Sequence, residues 1–217
     1  MEKQAFNHAL QLAVLDYIQD DSVVAIGSSP ALAPVVAELA SVKHKLKAVL
    51  TSSKAFAEQL QQMGVEVLAA NDVISIDLYI DTANAVSTLN EMVKADAAAL
   101  TQGRVFSAMA TKTLTLVNPD QKVALLGRFP IPVEVIPMAR SYVARELIKL
   151  GADPSYRENG ITDNGNIILD LYNLEVTDSS RLTQQMTNIA GVVGVGLFQK
   201  TDNNLILIAS ATGVETI

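Results

Sequence analysis

The chain has 217 residues, of which 49% are hydrophobic and 18% charged, so it is long enough for a buried core and too apolar to be disordered throughout. A formal net charge of −7 and a pI near 4.8 set a mean field that repels nucleic acid and anionic membranes. Cysteine is absent and the only histidines are His8 and His44, which excludes disulfide and thiolate chemistry in this chain and leaves no basis for expecting a zinc site.

From the N-terminus, Phe6, Leu10, Val14 and Ile18 fall on one stripe of a helix over residues 4–18. Charged residues come early and the apolar run is short, so the opening reads as neither a secretion signal nor a membrane span, and a cytoplasmic location is expected. "VVAIGSSPALA" follows, giving a strand over 22–27, a small-residue turn, and a helix from 31 to 41. Such turns hold anions through backbone amides and the helix N-terminus. Here Pro30 brings no amide hydrogen and Ala31 no hydroxyl, and Ser28 and Ser29 read either as ligand contacts or as helix caps.

"KAVLTSS" predicts a second strand, "KAFAEQLQQMG" a helix closed by Gly64, "VEVLAA" a third strand, and "ISIDLYIDTAN" a fourth with Asp81 at its carboxyl end. Asp81 reads as a turn carboxylate or as a ligand contact. Strands and helices alternating at these lengths predict an α/β fold built on a parallel sheet. Ligands of such sheets bind beyond the carboxyl ends of the strands, so residues 27–31, 51–53 and 81–84 are expected to gather at one edge.

Near residue 128 the pattern changes. "RFPIPVEVIP" carries three prolines and reads as an extended connector, held by a buried Glu134 paired with Arg140. "MARSYVARELIKLG" predicts a helix, "TDNGN" a tight turn at Asp163 and Gly165, "NIILDLYNLE" a strand, "DSSRLTQQMTNIAG" a capped helix and "VVGVGLF" a strand. "NLILIAS" then returns to the first sheet. Two units are expected, one of residues 1–128 with 205–217 and an inserted α+β unit over 129–204.

The segments "FPIPVEVIPMARSYVARELIKLGADPSYR", "TDNGNIILDL" and "GVVGVGLF", with "VVAIGSSPA", "LYIDTAN" and "KADAAALT" in matching order, resemble the type A ribose-5-phosphate isomerases over essentially the whole chain. The resemblance implies a Rossmann-like parallel-sheet domain with an inserted ferredoxin-like α+β domain. It also implies interconversion of ribose 5-phosphate and ribulose 5-phosphate without a metal or organic cofactor, and a homo-oligomer. A sugar phosphate such as ribose 5-phosphate is the expected partner, with no nucleic acid and no membrane. The reaction moves a proton between adjacent carbons through an enediolate, which requires a carboxylate base, a stabiliser for the oxyanion and a dock for the phosphate.

Each of these elements departs from the family pattern. The first loop, typically "GTGST", reads Gly27, Ser28, Ser29, Pro30, Ala31. The "DGADE" element keeps Asp81 but has Thr82, Asn84 and Ala85. The "KGGGAALTREK" element keeps Lys94 and "AALT", has Ala95, Asp96 and Ala97 for the glycines, and places Gly103 where the family has its proton-accepting glutamate. The lysines of the phosphate dock align with Asn7 and Gln121, with Lys122 one residue away. Lys94 reads as a retained contact or a solvated helix-start residue, and Asp96 as a substitute base or a surface carboxylate. The expected site is therefore Asp81 and Lys94 with Gly103 in place of the base, and Ser28, Ser29, Asn84 and Gln121 as substrate contacts. The expected function is a weak or inactive ribose-5-phosphate isomerase, or a non-catalytic sugar-phosphate-binding or interaction protein derived from one.

Overall fold

The computed structural model describes residues 8–95, 99–199, 201–210 and 213–217; Phe6, Asn7 and Asp96 lie outside them. The first half of the chain forms α1 (His8–Leu15), β1 (Ser22–Ile26), α2 (Ala33–Glu38), β2 (Leu46–Thr51), α3 (Lys54–Gln62), β3 (Ile76–Thr82), β4 (Ala85–Ser87), β5 (Met92–Val93) and α4 (Leu100–Met109). Then come β6 (Ala110–Val117), β7 (Lys122–Val123), β8 (Ile131–Val135), α5 (Arg140–Lys149), β9 (Asp153–Ile161), β10 (Ile167–Tyr172) and α6 (Ser179–Thr187). The chain closes with β11 (Val192–Val195), β12 (Leu197–Phe198), β13 (Asn204–Ser210) and β14 (Gly213–Thr216). Two compact units result, Met1–Thr82 with Gln102–Pro119 and Thr201–Ile217, and Ala83–Thr101 with Asp120–Lys200. Residues 83–101 and 120–128 thus go with the second unit rather than the first, because the short strands β4, β5, β7 and β12 pair with one another.

The first unit is an α/β fold around a sheet ordered β14-β13-β6-β3-β1-β2, parallel except for the β13–β14 pair. Side chains of β3 alternate between its faces, as strand geometry requires. Leu78 and Ile80 join Val14, Val35, Val49 and Leu60 in one core, and Tyr79 joins Ala25, Leu50 and Phe106 in another. The chain leaves β1 for β2 on one side and β3 for β6 on the other, so the carboxyl ends of β1 and β3 flank the switch point where such sheets place ligands.

Two local expectations for this unit change. The helix expected at 31–41 is broken into a 3-10 turn at Pro30–Leu32, the short α2, and a 3-10 stretch at Leu39–Lys45. The strand expected in "VEVLAA" reduces to one parallel bridge between Val49 and Val67. By contrast, α3 begins and ends as its residues dictate. The Ser53 hydroxyl accepts from the Phe56 N–H at 3.3 Å, and Gly64 takes the left-handed conformation just beyond the last turn.

In the second unit, β8, α5, β9, β10, α6 and β11 follow in the βαββαβ order, with the sheet ordered β11-β8-β10-β9, as in ferredoxin-like folds. Residues 131–135, expected as a connector, form a fully buried inner strand. Pro132 sits near its start, where its carbonyl accepts from the Gly196 N–H at 2.7 Å. The helix over 179–187 is capped as expected, the Asp178 carboxylate accepting from the Arg181 N–H at 2.9 Å. Among the described residues no helix is long and apolar enough to cross a membrane.

Candidate active site

At the switch point of the first unit, Asp81 is the penultimate residue of β3 and is 9% exposed. Its Oδ2 accepts the Tyr79 hydroxyl at 2.8 Å. Tyr79 lies two residues back on the same face of the strand, buried, with its ring edge-on to Phe106. The other carboxylate oxygen faces Gly27, and the two strands are tied there by the Gly27 N–H donating to the Ile80 carbonyl at 2.9 Å. A Cβ on Gly27 would stand 3.0 Å from Asp81 Cγ and closer still to Oδ1, so only glycine admits the carboxylate in this position.

Position 103 on α4 presents no side chain, and a Cβ there would meet the Tyr79 hydroxyl at 3.1 Å. Its neighbour Arg104 is half-buried, and burial pushes its guanidinium below the usual arginine range. Ser29 precedes the 3-10 turn at Pro30, but its hydroxyl makes no capping bond, which corrects the capping alternative at that residue. Ser28 is half-buried beside Gly27 in sequence.

In the second unit, Asn84 brackets Lys94. The Asn84 N–H donates to the Val93 carbonyl at 2.8 Å, and Asn84 Oδ1 accepts from the Ala95 N–H at 2.7 Å. The Lys94 N–H donates to the Gly196 carbonyl at 2.9 Å, and a Cβ on Gly196 would collide with Pro132 and with the Lys94 carbonyl. Arg157 holds the loop from the other side, donating to the Ala95 carbonyl at 3.3 Å and to Asp170 Oδ2 at 2.7 Å. Lys94 is only 6% exposed and its ammonium sits 4.9 Å from the centre of the Phe198 ring, so it is not a solvated helix-start residue. Gln121 ends a 3-10 turn before β7, and Lys122 opens that strand beside Val86.

Glu134 is wholly buried, and its partner is not Arg140, whose guanidinium lies over the Tyr156 ring instead. Its Oε2 accepts from the Thr101 hydroxyl at 2.6 Å and the Thr101 N–H at 3.3 Å. Its Oε1 accepts from the Thr162 hydroxyl at 2.9 Å, Asn166 Nδ2 at 2.8 Å and Asn164 Nδ2 at 3.3 Å. Five donors thus stand in for a cation around a buried carboxylate. Among the described residues no group of three or more histidine, aspartate or glutamate side chains is arranged to hold a metal ion.

The chemistry within reach is therefore divided. Asp81 supplies one oriented carboxylate in the first unit; Lys94 and Asn84 supply a cation and an amide in the second. Tyr79 and Phe198 were not among the expected site residues. The first is legible from period-two alternation, which puts any residue two before Asp81 on its face; no sequence signal links Phe198 to Lys94.

The family model for ribose 5-phosphate isomerase A (phosphoriboisomerase A) matches residues 48–213. The crystal structure of ribose 5-phosphate isomerase A from Neisseria gonorrhoeae superposes with a TM-score of 0.90 at 26% identity, covering 96% of this chain and 93% of that one. Ribose 5-phosphate isomerase A from Methanocaldococcus jannaschii superposes at 0.87 with 28% identity, covering 96% of both chains.

Proposed function

We propose that this chain, which belongs to the ribose 5-phosphate isomerase A family, binds a sugar phosphate but isomerises ribose 5-phosphate weakly or not at all. The observation that supports this most is Gly103. The resemblance aligns it with the family's proton-accepting glutamate, and the side-chain group facing it is the Tyr79 hydroxyl, already donated to Asp81. Loss of a positioned base costs about 10²–10⁴-fold. Asn84 stands where the family has a carboxylate, and an amide accepts no proton usefully. Gln121 in place of a lysine removes a charge-assisted bond to the phosphate dianion. The same reading carries a cytoplasmic homo-oligomer that works without metal or organic cofactor.

The test is conversion of ribose 5-phosphate to ribulose 5-phosphate by the full chain, beside thermal melting with and without ribose 5-phosphate. Turnover is expected to exceed that of an Asp81→Ala, Lys94→Ala double variant by no more than about tenfold, while the ligand raises the melting temperature. Adding Gly103→Glu and Asn84→Asp together is expected to recover little, because the dock is still short of charge. A wild-type kcat/KM of roughly 10⁴ M⁻¹s⁻¹ or more, ordinary for an enzyme, overturns the reading.

A further inference from the structure

We infer that Asn159 is a site of self-modification, where the backbone nitrogen of Gly160 displaces the side-chain amide and the residue becomes aspartate or isoaspartate, while the same dipeptide at Asn164–Gly165 is protected by the fold. Asparagine followed by glycine occurs twice in the chain, at 159–160 and at 164–165. In either place the reaction joins the glycine nitrogen to the asparagine Cγ, breaks the Cγ–NH2 bond and releases ammonia. Water then opens the resulting succinimide ring at one carbonyl or the other. Glycine in the second position favours ring closure, because no Cβ stands in the way.

Both asparagines are exposed, so access to water does not separate them. Their side-chain amides differ. Asn164 Nδ2 donates to Oε1 of the buried Glu134 at 3.3 Å, and the Gly165 N–H, on the nitrogen that has to attack, donates to the Thr162 carbonyl at 2.8 Å. The turn is closed around them by the Thr162 N–H donating to the Asn166 carbonyl at 2.8 Å and the Asn166 N–H to the Thr162 hydroxyl at 3.1 Å. Attack at Asn164 therefore requires the turn to open and a buried carboxylate to lose a donor. Among the described residues the Asn159 amide has no hydrogen-bond partner. It lies on β9, the outermost strand of its sheet, in the left-handed conformation at φ 57°, and between Tyr156 and Ile161 no residue of β9 is in register with β10. Turning the Asn159 side chain onto the Gly160 nitrogen breaks no side-chain bond. Gly160 also packs on the Arg157 stem, a Cβ there lying 3.0 Å from Arg157 Cγ and Cδ, so the extra main-chain carbon of isoaspartate falls beside the residue that holds the Ala95 carbonyl.

The test is peptide mass spectrometry of the full chain kept folded in mildly alkaline buffer, beside a sample unfolded in guanidinium chloride, both followed until the two asparagines of the unfolded chain are at least half converted. Cleavage before Asp163 puts Asn159 and Asn164 on different peptides. Relative to its own rate in the unfolded chain, Asn164 is expected to be slowed by folding at least about tenfold more than Asn159, because two hydrogen bonds must break before it reacts. Asn159→Gln removes the conversion from the first peptide and leaves the second as it was. A smaller difference between the two sites, or an Asn159 that stays unconverted in the folded chain, overturns the inference.

Discussion

Gly27 is constrained by Asp81 and not by its own backbone. Its φ lies outside the left-handed region, so alanine can adopt the same conformation. With nothing in the way, Gly27→Ala would stabilise the protein by about 0.4–1 kcal/mol, by narrowing the unfolded ensemble. The added Cβ, however, would lie 3.0 Å from Asp81 Cγ and nearer its Oδ1, while Leu32 Cδ1 at 3.5 Å is an ordinary contact. The carboxylate must retreat by about 1 Å to restore normal packing, and in doing so it stretches the 2.8 Å bond from Tyr79. Overpacking of this kind costs about 1–3 kcal/mol, and a bond to a charged group contributes about 1.5–3 kcal/mol. A net loss of about 1–3 kcal/mol is expected for Gly27→Ala in the wild-type background. In the Asp81→Ala background the same change should be neutral or stabilising by up to about 1 kcal/mol. Urea unfolding of the four proteins closes the cycle. If Gly27→Ala costs the same in both backgrounds, the carboxylate is not what keeps position 27 small.

Glu134→Gln places an NH2 group where one carboxylate oxygen now accepts, so either the Thr101 N–H or the two asparagine Nδ2 groups lose their acceptor, the threonine hydroxyls being able to accept instead, and the remaining bonds lose their charge. A loss of at least about 2 kcal/mol in urea unfolding is expected; a change under about 0.5 kcal/mol would contradict it. For Arg104 the sign follows from burial, which lowers the folded-state value below the usual arginine range. The unfolded chain then holds that proton more tightly, so the group makes stability rise with pH only in the alkaline interval between the two values. Arg104→Met should therefore leave the slope of stability between roughly pH 6 and 8 unchanged, and a changed slope there would show that the group titrates far lower.

Much of the sheet is legible in local pattern. The apolar runs at 22–26, 46–51, 76–82 and 204–210 become β1, β2, β3 and β13, and the last returns to the first sheet beside β6. What local pattern cannot decide is pairing. "VEVLAA" is as strand-like as "KAVLTS", yet it reaches β2 through a single bridge, because an apolar alternation says nothing about whether a neighbour's edge is open along its length. Prolines misdirect in the opposite sense: β8 is an inner strand even though Pro132 lies within it, since the carbonyl of that residue still accepts and the missing donor falls near the strand's start. Charge pairing is the least legible. Glu134 and Arg140 are close in the chain and opposite in sign, but the carboxylate is satisfied by side chains from 101 and 162–166, and the guanidinium settles on Tyr156. At the site, Asp81 is readable from its place at a strand end, whereas the aromatic floor under Lys94 exists only once Phe198 has been brought there by folding.

The segments that carry the family likeness and the residues that would carry its chemistry are different atoms. "PVEV", "TDNGN" and "AALT" meet at one buried carboxylate: Glu134 on β8 gathers Thr162, Asn164 and Asn166 from the turn between β9 and β10, together with Thr101 at the start of α4. None of these contacts requires a proton to move, and all of them are expensive to lose, because each buried donor left without an acceptor costs about 1–3 kcal/mol. Glycine at 103 breaks no such bond, since its missing side chain leaves Tyr79 paired with Asp81. Substitutions at Glu134 therefore threaten folding, while on the proposed reading substitutions at 103, 84 or 121 bear first on proton transfer and ligand binding. A strong match in fold can on these grounds coexist with an absent reaction, because stability and catalysis draw on separate residues.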